Sequence, residues 1–363
     1  MRVLSVVGAR PNFMKLAPVN RALVQRGDIE HVIVHTGQHY DAAMSDALFE
    51  DLRIPRPDHH LGVGSGSHAV QTAAVMQRLE PVLDQLRPDL VLVYGDVNST
   101  LAAALVAAKM GVRIGHVEAG LRSGDWTMPE EINRVLTDRL SDLLFAPSRD
   151  AVENLLHEGI PVQRIHFVGN VMIDSLVAML PAARALDAPA RHGVAPGSYV
   201  VATLHRPSNV DDAGTLRGLL EALEALGADT PVIFPVHPRT RERIQCLQLG
   251  STVANVRLLE PLGYLETLSL VASAGLVITD SGGLQEESTY LGVPCLTVRP
   301  NTERPITCRL GTNRLVAARR DAILVAARDG AETRARPRVP IERWDGRAAE
   351  RIVQVVREAK RFD

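Results

Sequence analysis

The sequence predicts an α/β protein with two doubly wound domains that face a central cleft. Short aliphatic and β-branched runs alternate with longer segments of helical period along almost the whole chain. This alternation is typical of parallel sheets with helices on both faces. The runs are apolar throughout, as strands are when both faces of their sheet are covered. The chain has 363 residues, which suits two domains at roughly 100–200 residues each.

The predicted strands fall into two groups, one in each half of the chain. They are Val3–Val7, Val32–Thr36, Leu90–Tyr94, Arg113–Val117 and Leu143–Ala146, then Tyr199–Thr203, Val232–Pro235, Val256–Leu259, Leu276–Thr279 and Pro294–Val298. The helical segments between them include Ala69–Leu86, Ser99–Met110, Glu131–Leu140, Thr215–Leu226 and Leu265–Ala272. The pattern breaks over Leu180–Gly197. We therefore expect an N-terminal domain over residues 1–170, a C-terminal domain over 171–346, and a last helix over 347–363 that packs back on the first domain.

Composition excludes several classes of protein. With 40 basic and 42 acidic side chains, the formal charge is −2, whereas nucleic acid and acidic membranes attract a basic excess. Three scattered cysteines, Cys246, Cys295 and Cys308, predict neither a disulfide framework nor a zinc site. No run approaches the roughly 18 apolar residues of a membrane span. The apolar run at the N-terminus, Val3–Val7, is too short for a signal peptide. We expect a cytoplasmic protein without a bound metal.

The first predicted strand ends in Gly8-Ala9-Arg10-Pro11, with Lys15 one turn into the following helix. A glycine lets the backbone turn sharply, and two cations beside a helix N-terminus attract a phosphate. A tight turn with a solvated Arg10 explains the same residues. The three-glycine spacing of a dinucleotide-binding loop is absent, and so is the lysine-containing phosphate loop of ATPases.

Three carboxylates follow neighbouring predicted elements of the first domain. Asp96 and Glu118 each come just after a strand, and Glu130 lies in the first turn of a helix that begins at Pro129. Helix capping is the alternative role for Asp96, and interaction with the helix dipole is the alternative for Glu130 and Glu131. In a partly desolvated cleft, mutual repulsion would raise the pKa of at least one of the three, as an acid/base pair requires.

In the second domain, two histidines and a glycine-rich loop follow strands. His205 and His237 each come just after a strand end, where a histidine can bind an anion or transfer a proton, although it can equally be a hydrogen-bonded structural residue. The segment Ser281-Gly282-Gly283 opens a helix, and its backbone N–H groups can hold a diphosphate. Glu287 then lies within reach of ribose hydroxyls. The alternative for Ser281 is simple helix capping.

Taken together and in register, these motifs resemble those of the non-hydrolysing UDP-N-acetylglucosamine (UDP-GlcNAc) 2-epimerases. The resemblance extends from Arg10 to the closing Asp345-Gly346-x-Ala348-x-x-Arg351-Ile352, nearly the whole chain. The other motifs are Gly37-Gln38-His39, Gly95-Asp96, His116-Val117-Glu118-Ala119-Gly120-Leu121-Arg122, Pro129-Glu130-Glu131-Ile132-Asn133-Arg134, Thr279-Asp280-Ser281-Gly282-Gly283-Leu284-Gln285-Glu286-Glu287 and Thr302-Glu303-Arg304-Pro305.

The resemblance implies the glycosyltransferase-B architecture, with two Rossmann-like domains, and a homodimer. It also implies interconversion of UDP-GlcNAc and UDP-N-acetylmannosamine (UDP-ManNAc) without a nicotinamide cofactor. By position in the motifs, the catalytic residues would be Asp96, Glu118, Glu130 and His205. The residues that bind UDP would be Arg10, Ser281, Gly282, Gly283 and Glu287, and Lys15, Arg134 and His237 would line the cleft. The family motif places the catalytic role on Glu130 and not on Glu131.

The reaction that the resemblance implies can be argued chemically. The proton at C2 of the sugar is not next to a carbonyl, so its removal alone would leave an unstabilised carbanion. Loss of UDP from C1 accepts that electron density and yields a 2-acetamidoglucal. Return of UDP, with protonation at the other face of C2, completes the inversion. Preorganised cations and helix N-termini would stabilise the leaving group, and we expect the domains to close and exclude water.

The sequence differs from other members of the family at positions that bear on activation and on recognition of the base, and it leaves the choice of substrate open. The pair Gln38-His39 is followed by Tyr40, whereas members that are activated by their own substrate carry an arginine there. Thr267 lies where many members have an aromatic side chain suited to stacking on uracil, so we expect the base to be recognised differently. Relatives that act on other UDP-2-acetamido sugars, such as 2,3-diacetamido uronates, share Thr36-Gly37-Gln38-His39. A UDP-sugar glycosyltransferase of the same architecture and a hydrolysing epimerase are the competing functions.

Overall fold

Two parallel β-sheets with helices packed against them make up the part of the chain that the structure describes. The structure is a computed structural model and describes residues 1–38, 52–333 and 340–359. The strands are β1 (Arg2–Val7), β2 (Glu30–His35), β3 (His59–His60), β4 (Leu90–Tyr94), β5 (Arg113–Val117), β6 (Leu143–Ala146), β7 (Ile165–Phe167), β8 (Val200–Thr203), β9 (Val232–Pro235), β10 (Val256–Leu259), β11 (Leu276–Thr279), β12 (Cys295–Val298) and β13 (Asn313–Val316).

The strand order is β3-β2-β1-β4-β5-β6-β7 in the first sheet and β10-β9-β8-β11-β12-β13 in the second. All of these pairs are parallel, which confirms the predicted α/β class. The sequence did not predict β3, β7 or β13, which lie at sheet edges. They are two to four residues long, too short to show a clear alternation.

The helices follow the strands along the chain, as the alternating pattern predicts. They are α1 (Arg10–Val24), α2 (His68–Leu86), α3 (Asn98–Lys109), α4 (Pro129–Leu140), α5 (Arg149–His157), α6 (Val171–Leu186), α7 (Ala188–Arg191), α8 (Pro207–Val210), α9 (Ala213–Gly227), α10 (Pro238–Cys246), α11 (Tyr264–Ser273), α12 (Gly282–Leu291), α13 (Ile306–Arg309), α14 (Arg320–Thr333) and α15 (Ala348–Ala359). Short 3-10 helices lie at Val162–Arg164 and Gly250–Val253. His39 and Tyr40, singled out by the sequence, lie outside the described residues.

Apolar strand residues form the cores. In the first sheet, Leu4 and Val91 have no solvent exposure and pack with Leu79 and Leu83 of α2. The second core follows the same plan, with strand residues packed against apolar residues of α9 and α14. No helix among the described residues is both long and apolar enough to cross a membrane.

The strand order reverses direction once in each sheet. In the first sheet this happens between β1 and β4, and in the second between β8 and β11. In open α/β sheets, ligands bind beyond the carboxyl ends of the strands that flank such a point. The loops after β1, β4, β8 and β11 are therefore the places to look for function.

The chain divides into two compact units. One is formed by Met1–Ala178 with Glu342–Asp363, and the other by Met179–Ile341. The predicted boundary after residue 170 lies at the start of α6, whereas the division falls within that helix, after Ala178. The second predicted boundary, after residue 346, also differs. A segment ahead of α15 already belongs to the first unit.

The segment that precedes α15 docks on the first unit through directed contacts. The indole N–H of Trp344 donates a hydrogen bond to the carbonyl of Pro147 at 3.1 Å. The carboxylate of Asp174 accepts the N–H groups of Ala348 and Ala349 at 3.1 and 2.8 Å, so it caps the start of α15. Gly169 is required here, since a Cβ on it would lie 2.1 Å from the carbonyl oxygen of Arg343.

Asp174 makes the stability of the chain depend on pH. Burial raises the pKa of Asp174 from 3.8 to about 6, against the lowering effect of its two backbone donors. A carboxyl group whose pKa is higher in the folded chain costs stability as it ionises. From about pH 4 to about pH 6, Asp174 should therefore lower the free energy of unfolding by roughly 3 kcal/mol. Guanidinium unfolding at several pH values should show this fall in the wild type and not in Asp174→Asn.

Asp345→Asn provides a control for that experiment. Its ion pair with Arg351 lowers the pKa of Asp345, so Asp345 contributes stability above its unfolded pKa and loses it only as the pH falls further. A difference between wild type and Asp174→Asn that stays constant with pH would contradict the assignment.

Candidate active site

Three loops meet at the carboxyl ends of β1, β4 and β5, which are neighbours in the first sheet. The loop after β4 passes so close to the others that a Cβ on Gly95 would lie 2.6 Å from Nζ of Lys15 and 3.2 Å from Oε2 of Glu118. Gly95 also has a φ of +63°, which favours glycine. The loop after β1 is held by Asn12, whose Oδ1 accepts the N–H groups of Gly8 and Ala9 at 3.1 and 3.0 Å. None of the sequence motifs pointed to Asn12.

Lys15 and Glu118 form a buried ion pair. Their exposed fractions are 5% and 7%, so each charge depends on the other for compensation. Glu118 has a φ of +78°, a left-handed conformation that costs free energy outside glycine and is found preferentially at functional sites. Its N–H and that of Ala119 both donate to the carbonyl of Phe145, at 3.2 and 3.1 Å. The contact with Glu118 gives Lys15 a partner within the chain, while its predicted place beside the substrate stays a prediction.

Arg134 of α4 bridges two carboxylates. One end of its guanidinium donates to Asp96 and the other to Glu131. Arg134 is 2% exposed. Asp96 and Glu118 thus each have a cation beside them, which offsets the mutual repulsion that the sequence analysis expected among the three carboxylates.

The adjacent glutamates of α4 have different surroundings. Glu131 is 1% exposed and accepts the N–H groups of Ser123 and Gly124 at 3.0 and 2.9 Å. Burial alone would raise the pKa of Glu131, but these donors and the charge of Arg134 lower it below its ordinary value. Glu130 is half-buried, and among the described residues no hydrogen bond or ion pair engages its carboxylate. Glu131 therefore has a structural duty, whereas Glu130 has none.

Arg10 is the first residue of α1, and its side chain is exposed to solvent. Its place at the helix N-terminus suits an anion, as the sequence predicts.

In the second unit, a buried carboxylate orients His205. Nδ1 of His205 lies 2.8 Å from Oδ1 of Asp280, whose side chain has no exposure while that of His205 is 40% exposed. Asp280 also accepts the N–H of Arg206 at 2.9 Å and the side-chain amide of Asn209 at 3.1 Å. Burial would raise the pKa of Asp280, but its bonds with His205 and the backbone lower it. The ring of His237 lies 5.6 Å from that of His205, so the structure brings the two predicted histidines together.

The sequence motifs did not predict a functional role for Asp280, although Asp280 belongs to the motif that begins at Thr279. Its partner is 75 positions away in the chain. The two residues meet only because β8 and β11 are neighbours in the sheet. The sequence feature that could have indicated a role for Asp280 is its position directly after the buried strand β11.

The predicted diphosphate loop forms the start of α12. Ser281 occupies the N-cap position, and its side chain makes no capping hydrogen bond. Gly282 is tightly packed, since a Cβ there would lie 2.8 Å from Nη1 of Arg304. Glu287 is 5% exposed, and its Oε1 accepts the hydroxyl of Tyr264 at 2.9 Å. A free helix N-terminus with an unused serine hydroxyl can hold an anion.

A buried cluster of four charged side chains packs next to the start of α12. Nε of Arg304 lies 2.9 Å from Oε1 of Glu286, Arg304 also pairs with Glu303, and Arg299 reaches Glu303 at 2.8 Å. These four side chains are between 1% and 8% exposed. The charges compensate each other, so the cluster fixes the loop without presenting a net charge of its own. Within the described ranges, no group of three metal-ligating side chains occurs.

Comparison with known proteins gives consistent matches. The family model for UDP-N-acetylglucosamine 2-epimerase matches residues 21–357. The UDP-N-acetylglucosamine 2-epimerase of Methanocaldococcus jannaschii is 40% identical over 368 residues, which cover 99% of this chain and 100% of the relative. Its crystal structure in complex with UDP-GlcNAc and UDP matches with a TM-score of 0.90. The UDP-GlcNAc 2-epimerase from Neisseria meningitidis bound to UDP-GlcNAc matches with a TM-score of 0.89 at 33% identity, covering 99% of this chain and 100% of that chain.

A relative with a different printed substrate is also similar. The UDP-2,3-diacetamido-2,3-dideoxy-D-glucuronate 2-epimerase of Pseudomonas aeruginosa is 46% identical over 333 residues, covering 90% of this chain and 92% of the relative. These matches confirm the resemblance predicted from the motifs.

Substitution by glutamine should destabilise the chain at Glu131 and have little effect on its stability at Glu130. Glu131→Gln removes a charge that balances Arg134 and weakens the bonds from Ser123 and Gly124. It should lower the free energy of unfolding by about 1–3 kcal/mol. Glu130→Gln, its matched control, should change that free energy by less than about 0.5 kcal/mol. Guanidinium unfolding followed by circular dichroism measures both, and equal destabilisation by the two variants would refute the distinction.

Proposed function

The chain belongs to the UDP-N-acetylglucosamine 2-epimerase family, and on that premise we propose that it interconverts UDP-GlcNAc and UDP-ManNAc. The proposed route is elimination of UDP to a 2-acetamidoglucal intermediate, followed by re-addition. The homodimer implied by the resemblance, and the absence of a nicotinamide cofactor from the reaction, belong to the same proposal.

One observation carries the proposal. Asp96, Glu118 and Glu130 come from three elements at the same end of the first unit, and two of them are held by buried cations. Transfer of a proton from C2 on one face and delivery to the other face requires more than one ionisable group. A glycosyltransferase of the same architecture has no need of three such carboxylates, because it does not exchange a proton at carbon.

Charge compensation suits these carboxylates to the chemistry. Lys15 and Arg134 hold Glu118 and Asp96 in fixed positions, while Glu130 keeps its carboxylate available. Proton transfer depends on placement within hydrogen-bonding distance of the reacting atom. We assign the acid and base duties to these three carboxylates as a group.

The second unit would bind and stabilise UDP. The N–H groups at the start of α12, with Ser281, Gly282 and Gly283, suit the diphosphate. The resemblance also assigns Arg10 to the binding of UDP, and Glu287 to the ribose hydroxyls. His205 would act on the leaving phosphate, because Asp280 fixes its Nδ1 and leaves Nε2 for a ligand. His237, next to it, would complete this anion site. Departure of UDP leaves developing negative charge, and preorganised donors of this kind stabilise it.

A second substrate is the 2,3-diacetamido uronate sugar linked to UDP. The identity of 46% to the Pseudomonas aeruginosa relative favours it, while the match to the Methanocaldococcus jannaschii relative named for UDP-GlcNAc covers 99% of the chain at 40% identity. The two sugars share the acetamido group at C2 and the UDP leaving group, so the same carboxylates would serve both.

The first test is turnover with UDP-GlcNAc alone, in deuterated water. We expect UDP-ManNAc to form without an acceptor and to carry one deuterium at C2, both read by proton NMR. The same time course with the diacetamido uronate substrate ranks the two candidates. Steady accumulation of free UDP, read by phosphorus NMR, would favour a hydrolysing epimerase. Product without label would exclude proton exchange at C2.

The second test changes each proposed acid/base group. Asp96→Asn, Glu118→Gln and Glu130→Gln should each reduce kcat by at least about 100-fold, while the Kd for UDP, measured by calorimetry, changes little. The removed charge serves the sugar and not the nucleotide in this scheme. Ser281→Ala is the opposite control, and it should weaken UDP binding. Near-normal rates in all three carboxylate variants would overturn the assignment.

A further inference from the structure

His116 and Asp138 are in hydrogen-bonding contact in the interior of the first unit. Both side chains have no exposure, and Nδ1 of His116 lies 2.6 Å from Oδ1 of Asp138. Nε2 of the same ring lies 2.8 Å from the carbonyl oxygen of Gly95. Neither residue touches solvent, and the proposed chemistry does not use either of them directly.

The partners of the ring fix its hydrogens. A carbonyl oxygen only accepts, so Nε2 must donate to Gly95. At 2.6 Å, Nδ1 and the carboxylate oxygen cannot both present lone pairs, so a hydrogen lies between them. His116 therefore serves as a two-ended link from Asp138 to the loop after β4.

Asp138 makes further contacts with the loop after β5. Its Oδ2 accepts the N–H of Gly120 at 3.0 Å and lies 2.7 Å from Nη1 of Arg122. Burial would raise the pKa of Asp138, but His116 and Arg122 lower it. Arg122 in turn pairs with Glu158 at 2.6 Å, so its guanidinium joins the two carboxylates.

These bonds join the three elements that carry the proposed acid/base groups. Gly95 directly precedes Asp96, Gly120 lies two residues after Glu118, and Asp138 belongs to α4, whose first turn holds Glu130. We propose that His116 and Asp138 are positioning residues that fix the three carboxylate-bearing elements relative to one another. The inference rests on the proposed function, because it assigns the pair a task in that reaction.

Stability alone does not account for the pair. Replacing both partners of a buried hydrogen bond by apolar groups of the same shape can be nearly neutral for stability, and the strand pairing of β5 with β4 and β6 uses backbone groups only. The bonds of the pair run to loop backbone, where small displacements would move the carboxylates. A misplacement of about 1 Å can cost about 100-fold in rate.

The test uses the full-length chain with His116→Gln, His116→Leu and Asp138→Asn. Glutamine keeps a donor that can reach one of the two acceptors, whereas leucine keeps none. We expect kcat to fall in the order wild type, His116→Gln, His116→Leu, with a loss of about 100-fold in the leucine variant and in Asp138→Asn. KM and the Kd for UDP should stay near their wild-type values. A purely structural role would not produce this split or the partial rescue by glutamine.

His31→Gln is the matched control. His31 is a largely buried histidine of β2, bonded to Ser5 and Asn20 at 2.8 Å each, and it touches none of the three loops. Its substitution should leave kcat unchanged.

The outcomes separate the two proposals. If the wild type turns over no UDP-2-acetamido sugar, the proposed function fails, and this is seen before any variant is made. If the wild type is active and folded variants keep its kcat, the positioning role is refuted. If both His116→Leu and Asp138→Asn fail to fold while His116→Gln keeps full kcat, the pair serves folding only, and the inference is overturned.

Discussion

Charge compensation at the carboxyl end of the first sheet is the constraint on which the rest of the structure depends. Carboxylates removed from water require a cation or several donors beside them. Lys15 supplies this for Glu118, and Arg134 supplies it for Asp96. These partners come from α1 and α4, so the sheet and both helices must be in place before the carboxylates can be. The site is therefore a property of the whole first unit.

Close backbone approach makes this arrangement possible. Gly95 leaves room for Lys15 and Glu118, which a Cβ would occupy, and Glu118 accepts a left-handed conformation that turns its side chain toward Lys15. The conformational cost at Glu118 is of the order of 1–3 kcal/mol and is tolerated because surrounding hydrogen bonds overdetermine the loop. Function in this protein is thus tied to backbone geometry as much as to side-chain identity.

The second unit also relies on a buried charged group to hold a candidate functional side chain in place. In the proposed function it supplies donors for an anion, and its buried carboxylate, Asp280, orients His205. The helix that starts at Gly282 adds backbone N–H groups. Arg304 holds that helix in place through its ion pair with Glu286. One unit therefore buries cations to hold carboxylates, and the other buries a carboxylate to hold a histidine.

The sequence by itself determined the α/β class, the central strands and the family. Apolar runs such as Leu90–Tyr94 are local signals, and so is the order of the motifs. It also proposed the side chains of the candidate site, some of which, such as Asp96 and His205, come just after strands, and their roles stay predictions. Only the tertiary structure decided that Glu131 anchors Arg134, that Asp280 orients His205, and that Asp138 meets His116. The physical reason is that these partners lie far apart in sequence or differ only in burial, and strand order alone brings them together.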